Sequence, residues 1–336
     1  MPKSHCNQRF LPHSLSLLFS LLAAMTLHEK QGFGQAESAF DLLSKAIKQR
    51  QGIKSLDVEI DVKGRQRSDY EYVARCTHSG EMRRVEMWNS GVRTVNAFNG
   101  TEHLNYVNES EQSAAVLTNA SIIVGKRAYE IVDARKIGML PMGFMSVDSM
   151  NVEEMYFSNE ARMGSVTELG NGVYMVSWNG TKADSNWRIW VDSTKNYCVV
   201  RCEVDWKDGD DRYNDKVDLV VEKQDDDYFP IKVDYKRTLN DKEKDEEACL
   251  IKVLAINTQF DEEFFSIENA GLPKYLGVFR IPESTEMMYW DGTNLLTLAE
   301  LKEREVFWER MRWATAISLG LVIFGLGLVW LRRRKK

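Results

Sequence analysis

The sequence predicts a mainly β, α+β protein: a long series of antiparallel strands packed with helices, followed by a C-terminal transmembrane helix. Three observations predict it. Apolar and polar residues alternate with a period of two through most of residues 55–256. Two Asn-Gly pairs, Asn99-Gly100 and Asn171-Gly172, fall next to alternating runs, where tight hairpin turns are made. From Trp313 to Leu331 the chain holds nineteen residues without a charge, close to the roughly 20 that cross a bilayer as a helix.

The elements follow in order. Met1 to Ala36 reads as a secretory signal, with Lys3 and Arg9 ahead of the apolar run Ser14 to Leu27 and with Gly34 and Ala36 before the cut. Cys6 precedes that run, so it is not the lipidated cysteine of a lipoprotein signal. After Glu37, Phe40, Leu43, Ala46 and Ile47 form one helical stripe that Gly52 can end. The period then changes to two: Leu56, Val58, Ile60 and Val62 alternate with Asp57, Glu59 and Asp61, a strand with one wet face. Ile122 to Met145 interrupts the strands with helical spacing and then a stretch rich in Gly, Pro and Met. It reads as core packing or as a lid over an apolar cavity, since methionine adapts to varied partners.

Four cysteines lie in the strand region. Cys198 and Cys202 alternate with polar residues and face one apolar side, roughly 13 Å apart and out of disulfide reach. Cys76 and Cys249 fall in inward register too. One disulfide between Cys198 or Cys202 and Cys76 or Cys249 is one reading. Four buried thiols acting as small hydrophobes is the other, and is preferred because a domain of this size needs no staple.

Charge and missing motifs exclude whole classes of function. Between Glu37 and Met311 the chain carries 35 Lys+Arg against 49 Asp+Glu, a balance that repels polyanions, so no nucleic-acid partner is expected. His78 and His103 are the only histidines there, and neither has a companion at metal-ligand spacing. No G-x-S-x-G, Gly-rich phosphate loop or H-E-x-x-H occurs. No catalytic residue, metal or cofactor is therefore expected. The acidic run Asp208 to Asp215 does not match a calcium loop and reads as a solvated hairpin connection, as does Asp225 to Asp227. Asn108, Asn119 and Asn179 open glycosylation sequons.

At the C-terminus, Thr297 to Glu300 forms a capping box for a helix that runs without Pro or Gly into the apolar stretch. Arg332 to Lys336 then set the orientation. The expected organisation is a signal peptide at 1–36, a folded domain at 37–273, a juxtamembrane segment at 274–296 and a membrane-proximal helix at 297–312. A transmembrane helix at 313–331 and a basic cytoplasmic tail at 332–336 complete it. This is a single pass through the cytoplasmic (inner) membrane, with the N-terminal domain in the periplasm or outside. Ala316 and Gly320, four apart, permit a helix-mediated homo-oligomer.

The succession of these pieces resembles a known family. A helix leads through "GIKSLDVEIDVKGR" into strands, "FNGTEHLNYVNES" displays a short polar loop, and "WRIWVDSTKNYCVVRCEV" is followed by "YFPIKVDYKR" and "LAINTQFDEEFFSIENAGLP". Over about Glu37 to Pro273 the order is similar to that of the LolA/LolB/RseB superfamily of periplasmic lipoprotein-binding domains. The resemblance implies an incomplete antiparallel β-barrel wrapped around helices, non-enzymatic, whose concave apolar face shelters a lipid, an acyl chain or a lipidated protein. Candidate lining residues are then Trp88, Phe98, Met139, Met142, Phe144 and Trp190. A tethered carrier cannot cross the periplasm, so the expectation is local binding, with an RseB-like interaction or envelope-stress sensor as the alternative.

Overall fold

In a computed structural model the chain is described at residues 37–108, 119–124, 131–146, 151–180, 184–266, 268–274, 276–281, 287–313 and 315. Met1–Ser38 and Ala39–Lys336 are separate units, and the fold is that of the second. It opens with helix α1 (Ala39–Gln51), which buries Leu42, Leu43, Ala46 and Ile47 at helical spacing. Phe40, expected on that stripe, stays exposed and meets the Phe157 ring instead. Gly52 follows the helix, its N–H donating to the Lys48 carbonyl.

Sixteen strands make one sheet. The first half of the chain supplies β1 (Ser55–Arg65), β2 (Asp69–Ser79), β3 (Met82–Asn89), β4 (Val92–Phe98), β5 (Glu102–Asn108), β6 (Asn119–Val124), β7 (Ser165–Gly170) and β8 (Val173–Gly180). The second supplies β9 (Ser185–Asp192), β10 (Cys198–Asp208), β11 (Asp211–Gln224), β12 (Asp227–Leu239), β13 (Lys242–Ile256), β14 (Leu276–Ile281), β15 (Met287–Trp290) and β16 (Leu295–Leu296). Their order is β16-β15-β14-β6-β5-β4-β3-β2-β1-β13-β12-β11-β10-β9-β8-β7. All pairs are antiparallel except β14 beside β6. Near the middle of this order β1 pairs with β13, with Ile60 opposite Ile251 and Val62 opposite Cys249. Asn171 and Gly172 both take positive φ between β7 and β8, as a two-residue hairpin requires.

Each face of this sheet has its own core. The inner face carries α1 and residues 131–146 and 151–161, which close over Leu56, Val58, Ile60, Ile189 and Val217. On the other face Val95, Ala97, Leu104 and Tyr106 pack against Leu272, Leu276, Val278 and Trp290. That outer layer is clamped by buried charge. Arg84 donates to the Phe264 and Asn269 carbonyls, Arg93 donates to the Ala270 carbonyl, and both hold Glu86. Burial pushes the Glu86 carboxyl up, and the hydrogen bond from Arg93 with the charge of Arg84 outweighs it, so the group rests below its ordinary range.

Two expectations are corrected. The expected incomplete barrel is corrected to an open sheet that does not close: β7 and β16 stand at opposite ends of the order, and β16 offers only two residues for pairing. The transmembrane helix is not found either, since among the described residues no helix is long and apolar enough to cross a membrane. The helix at residues 298–313, here α4, carries Lys302, Glu303, Arg304, Glu305, Glu309, Arg310 and Arg312. The expected single-pass inner-membrane topology is therefore not supported by the described residues. Apart from Trp313 and Thr315, the stretch 313–331 lies outside the described residues, as do 1–36, Ala316, Gly320 and the tail. The capping box is present: the Thr297 N–H donates to Glu300, and the Glu300 N–H to the Thr297 hydroxyl.

Ile122 to Met145 also differs from its helical spacing. Asn119–Val124 is strand β6, and among the described residues a single 3-10 turn, Ala134–Lys136, follows before the Met-rich stretch. The outer core gives a direct test. Trp290→Ala, which empties a fully buried site, should cost about 3–5 kcal/mol in chemical denaturation, whereas Leu250→Thr on the exposed face should change stability by under ~1 kcal/mol. Equal costs would mean that the outer layer contributes nothing to folding.

Candidate functional site

The inner-face pattern does not end where the aliphatic residues end. Along β13 the inward positions read Ile251 and Cys249, then Glu247 and Asp245, all buried. On β12 the same row runs Val233, Tyr235, Arg237, and on β11 it runs Val217, Asp215. On the neighbouring hairpins it ends in Trp206, Trp187 and Trp178, with Trp178 paired to Trp187 and Val204 to Trp187. At one end of the sheet the inner face thus turns aromatic and acidic, and there it borders a cavity of about 1060 Å³.

The cavity's roof is the segment that begins at Met139. Pro141, Met142 and Gly143 lead to a 3-10 turn at Phe144–Ser146, and two short helices follow, α2 (Val152–Tyr156) and α3 (Asn159–Arg162). Asn151 caps α2 by accepting from the Glu153 N–H at 3.1 Å, and Ser158 caps α3 by accepting from the Ala161 N–H at 3.1 Å. The sheet holds this roof through two side chains: the Glu247 carboxylate accepts from the Phe144 N–H at 2.5 Å, and the Cys202 thiol lies 3.1 Å from the Gly138 carbonyl and 3.3 Å from that of Met139. Within the roof the buried Tyr156 hydroxyl donates to the Met139 carbonyl.

The polar groups of the floor are mostly paired with one another. Asp215 accepts from Trp206 Nε1 at 2.8 Å, from the Tyr235 hydroxyl at 3.1 Å and from Arg237 Nε at 2.5 Å. Tyr70 donates to Glu247 at 2.9 Å. Burial first, then the charge of Glu247, pushes the Tyr70 and Tyr72 phenols well up; burial and Asp215 do the same to Tyr235. All three therefore stay protonated. Two atoms remain without a partner: the Tyr72 hydroxyl and Oδ1 of Asp245, both buried. The other oxygen of Asp245 lies 3.9 Å from the Arg237 guanidinium.

The residues proposed from the sequence fall in different places. Met142 is half-buried and lines the cavity, and Phe144 is buried behind it with its ring 6.3 Å from that of Tyr72. Met139 and Phe98 sit in the inner core. Trp88 is 40% exposed on β3, and Trp190 lies on the outer side of β9 with the Arg201 guanidinium 4.6 Å over its ring. The sequence reading did not single out Trp178, Trp187, Trp206, Asp215, Asp245 or Glu247. Pairing the hairpins would have brought the three tryptophans to one end. Cys76, Cys198, Cys202 and Cys249 are buried thiols not joined in disulfides, and burial pushes the last three up, away from thiolate chemistry. The acidic run Asp208 to Asp215 is the β10–β11 hairpin, with Asp208 opposite Asp211. Among the described residues no group of three or more His, Cys, Asp or Glu is placed to hold a metal ion.

No family model and no curated protein matches this chain. Solved structures are similar to it, among them these two. One is a LolA superfamily protein from Nitrosomonas europaea, at 10% identity and TM-score 0.35 over 70% of this chain and all of that one. The other is described as an outer membrane lipoprotein-sorting protein domain from Vibrio parahaemolyticus, at 13% identity and TM-score 0.36 over 69% of this chain and 99% of that one. The expected membership of the LolA/LolB/RseB superfamily with an added membrane anchor is thus corrected to a distant likeness of fold, which assigns no role to any residue.

The start of the roof segment is fastened by a buried charge cluster. Asp133 accepts from Arg135 at 2.7 and 3.0 Å and lies 3.5 Å from Arg83. Burial raises the Asp133 carboxyl, but the two arginines outweigh it and hold it well below the carboxylate range. His78, buried beside them, is lowered to about 4 by burial first, with the pull of Asp133 opposed by Arg135 and Arg83. The native state therefore prefers neutral His78, while the unfolded chain binds a proton near pH 6.5. The stabilisation is complete above pH 6.5 and is lost as pH falls toward 4, with a slope of at most ~1.4 kcal/mol per unit. His78→Leu should flatten that part of the stability profile measured by urea denaturation; an unchanged slope would show that another group titrates there.

Proposed function

We propose that this protein is a binding protein without catalytic chemistry, and that its cavity takes the apolar chain of an amphiphile such as a lipid or a lipidated protein. One observation carries the reading: a cavity of about 1060 Å³ on the inner face of the sheet, bordered by Met142, Met155, Trp178, Trp187 and Trp206. A protein core packs to near crystalline density and leaves no such space, whereas small-molecule sites span about 300–1000 Å³ and are lined by aromatic and apolar groups with a few polar ones. The Trp178 and Trp187 indoles stack at 5.9 Å and 7°, forming a flat apolar wall, and the two methionines opposite can adjust to chains of different shape. In this reading Met142 touches the ligand and Phe144 sets the position of the roof.

The test uses the tryptophans already present. Titrating the full-length chain with dodecyl maltoside below its micelle concentration should give a saturable change in tryptophan emission, because three indoles border the cavity. Met142→Glu should weaken that binding at least about tenfold, since a buried unpaired carboxylate is costly, while the thermal unfolding profile stays close to that of the native protein. A native protein that takes up no twelve-carbon chain, or a variant that binds as tightly as the native one, would overturn the reading.

A further inference from the structure

The cavity border is strongly one-signed. Six carboxylates line it, from Glu154, Glu160, Asp215, Asp245, Glu246 and Glu247, against a single guanidinium, that of Arg237. That guanidinium is already committed: its Nε and Nη2 hold both oxygens of Asp215, at 2.5 and 3.0 Å. Glu247 is satisfied by two neutral donors, the Tyr70 hydroxyl and the Phe144 N–H, and among the described residues no cation pairs with it. Asp245 is only 7% exposed, its Oδ1 has no hydrogen-bond partner among the described residues, and its other oxygen lies 3.9 Å from Nη1 of the same Arg237 that gives its two hydrogen bonds to Asp215. Beside this row, the buried Tyr72 hydroxyl is also unpartnered.

Buried carboxylates without a counter-charge are costly to the folded chain unless something supplies the opposite charge. A bound group that neutralises them must be positive, and its surroundings must suit a cation too. They do: Tyr70, Tyr72 and Tyr235 border the same end of the cavity, and aromatic faces attract cations electrostatically, as the Trp206 ring there does the Arg237 guanidinium, 5.9 Å from its centre. Because the phenols keep their protons, they offer these faces and do not add charge of their own. A carboxylate or phosphate headgroup would meet repulsion at the same place.

We propose that the acidic, aromatic end of this cavity recognises a positively charged nitrogen, so that the amphiphile bound is one with an ammonium headgroup, held between Asp245 and Glu247. This rests on the reading of the cavity as a site for an apolar chain, and it names the headgroup that goes with the chain. The roof side then receives the chain, through Met142 and Met155, and the β11–β13 side receives the charge.

The experiment compares headgroups on one chain length. The full-length protein is titrated with dodecyltrimethylammonium, dodecanoate and dodecyl maltoside, each below its micelle concentration, with tryptophan emission as the readout. The ammonium compound is expected to bind at least about tenfold more tightly than the other two, and tetramethylammonium should compete with it but not with the maltoside. Asp245→Asn and Glu247→Gln, which keep shape and hydrogen-bonding capacity, should bring the three affinities within about threefold. Equal affinities in the native protein would overturn the headgroup assignment and leave the apolar-chain reading standing. Binding of none of the three would overturn both. The comparison on native protein decides even where a variant fails to fold, and Tyr72→Phe, which removes only the unpartnered hydroxyl, provides a milder probe with an expected loss of about threefold for the ammonium compound alone.

Discussion

The central strands of this sheet are longer than the elements that cover them, and the site follows from that mismatch. Strands β10 to β13 have 11, 14, 13 and 15 residues, which at about 3.3 Å per residue is roughly 36–50 Å of sheet. Helix α1, with 13 residues, is only about 20 Å long. It can seal one end of the inner face, where Ile, Val and Leu line up beneath it. The other end must be closed by irregular chain or by something that is not part of the chain. The roof residues 139–146 and 151–162 partly close it, and the remaining space is the cavity.

Backbone details at that end fit a floor of large rings. A Cβ on Gly64 would stand 2.3 Å from the Tyr70 ring, and one on Gly180 would stand 2.4 Å from the Ser185 hydroxyl and 3.2 Å from Trp187 Nε1. Glycine inside a strand usually marks such a close approach. At both positions the missing side chain lets an aromatic ring lie across its neighbouring strand. Gly143 plays the same part in the roof, where a Cβ would come within 3.2 Å of Glu247 Oε1, the oxygen that accepts from the Phe144 N–H. Tyr70 and the roof thus meet on one carboxylate.

Much of this scaffold is legible in the sequence, because period-two alternation reports which side of a strand is buried. Leu56, Val58, Ile60 and Val62 are fully buried, and the hairpins fall at Asn99-Gly100 and Asn171-Gly172. The site was less legible for the same reason. Alternation read by polarity sends Asp215, Asp245 and Glu247 outward, whereas the strand's period carries them inward along with Val217 and Cys249. Trp190 erred the other way: its bulk suggests the interior, but it sits one residue out of step with Trp187 and Ile189 and packs under Arg201. Closure of the sheet was not legible either, since strand order depends on which distant segments pair, and β14 joins β6 across more than 150 residues.

The claim that one end of the inner face is a ligand site and not core is tested most directly by the methionine methyl groups. In protein labelled with [methyl-13C]methionine and titrated with dodecyltrimethylammonium, the Met142 and Met155 signals should move together and saturate, because both border the cavity. Those of Met139, buried in the inner core, and of Met163, 86% exposed, should stay in place. Shifts spread over all four, or none at Met142 and Met155, would contradict the account.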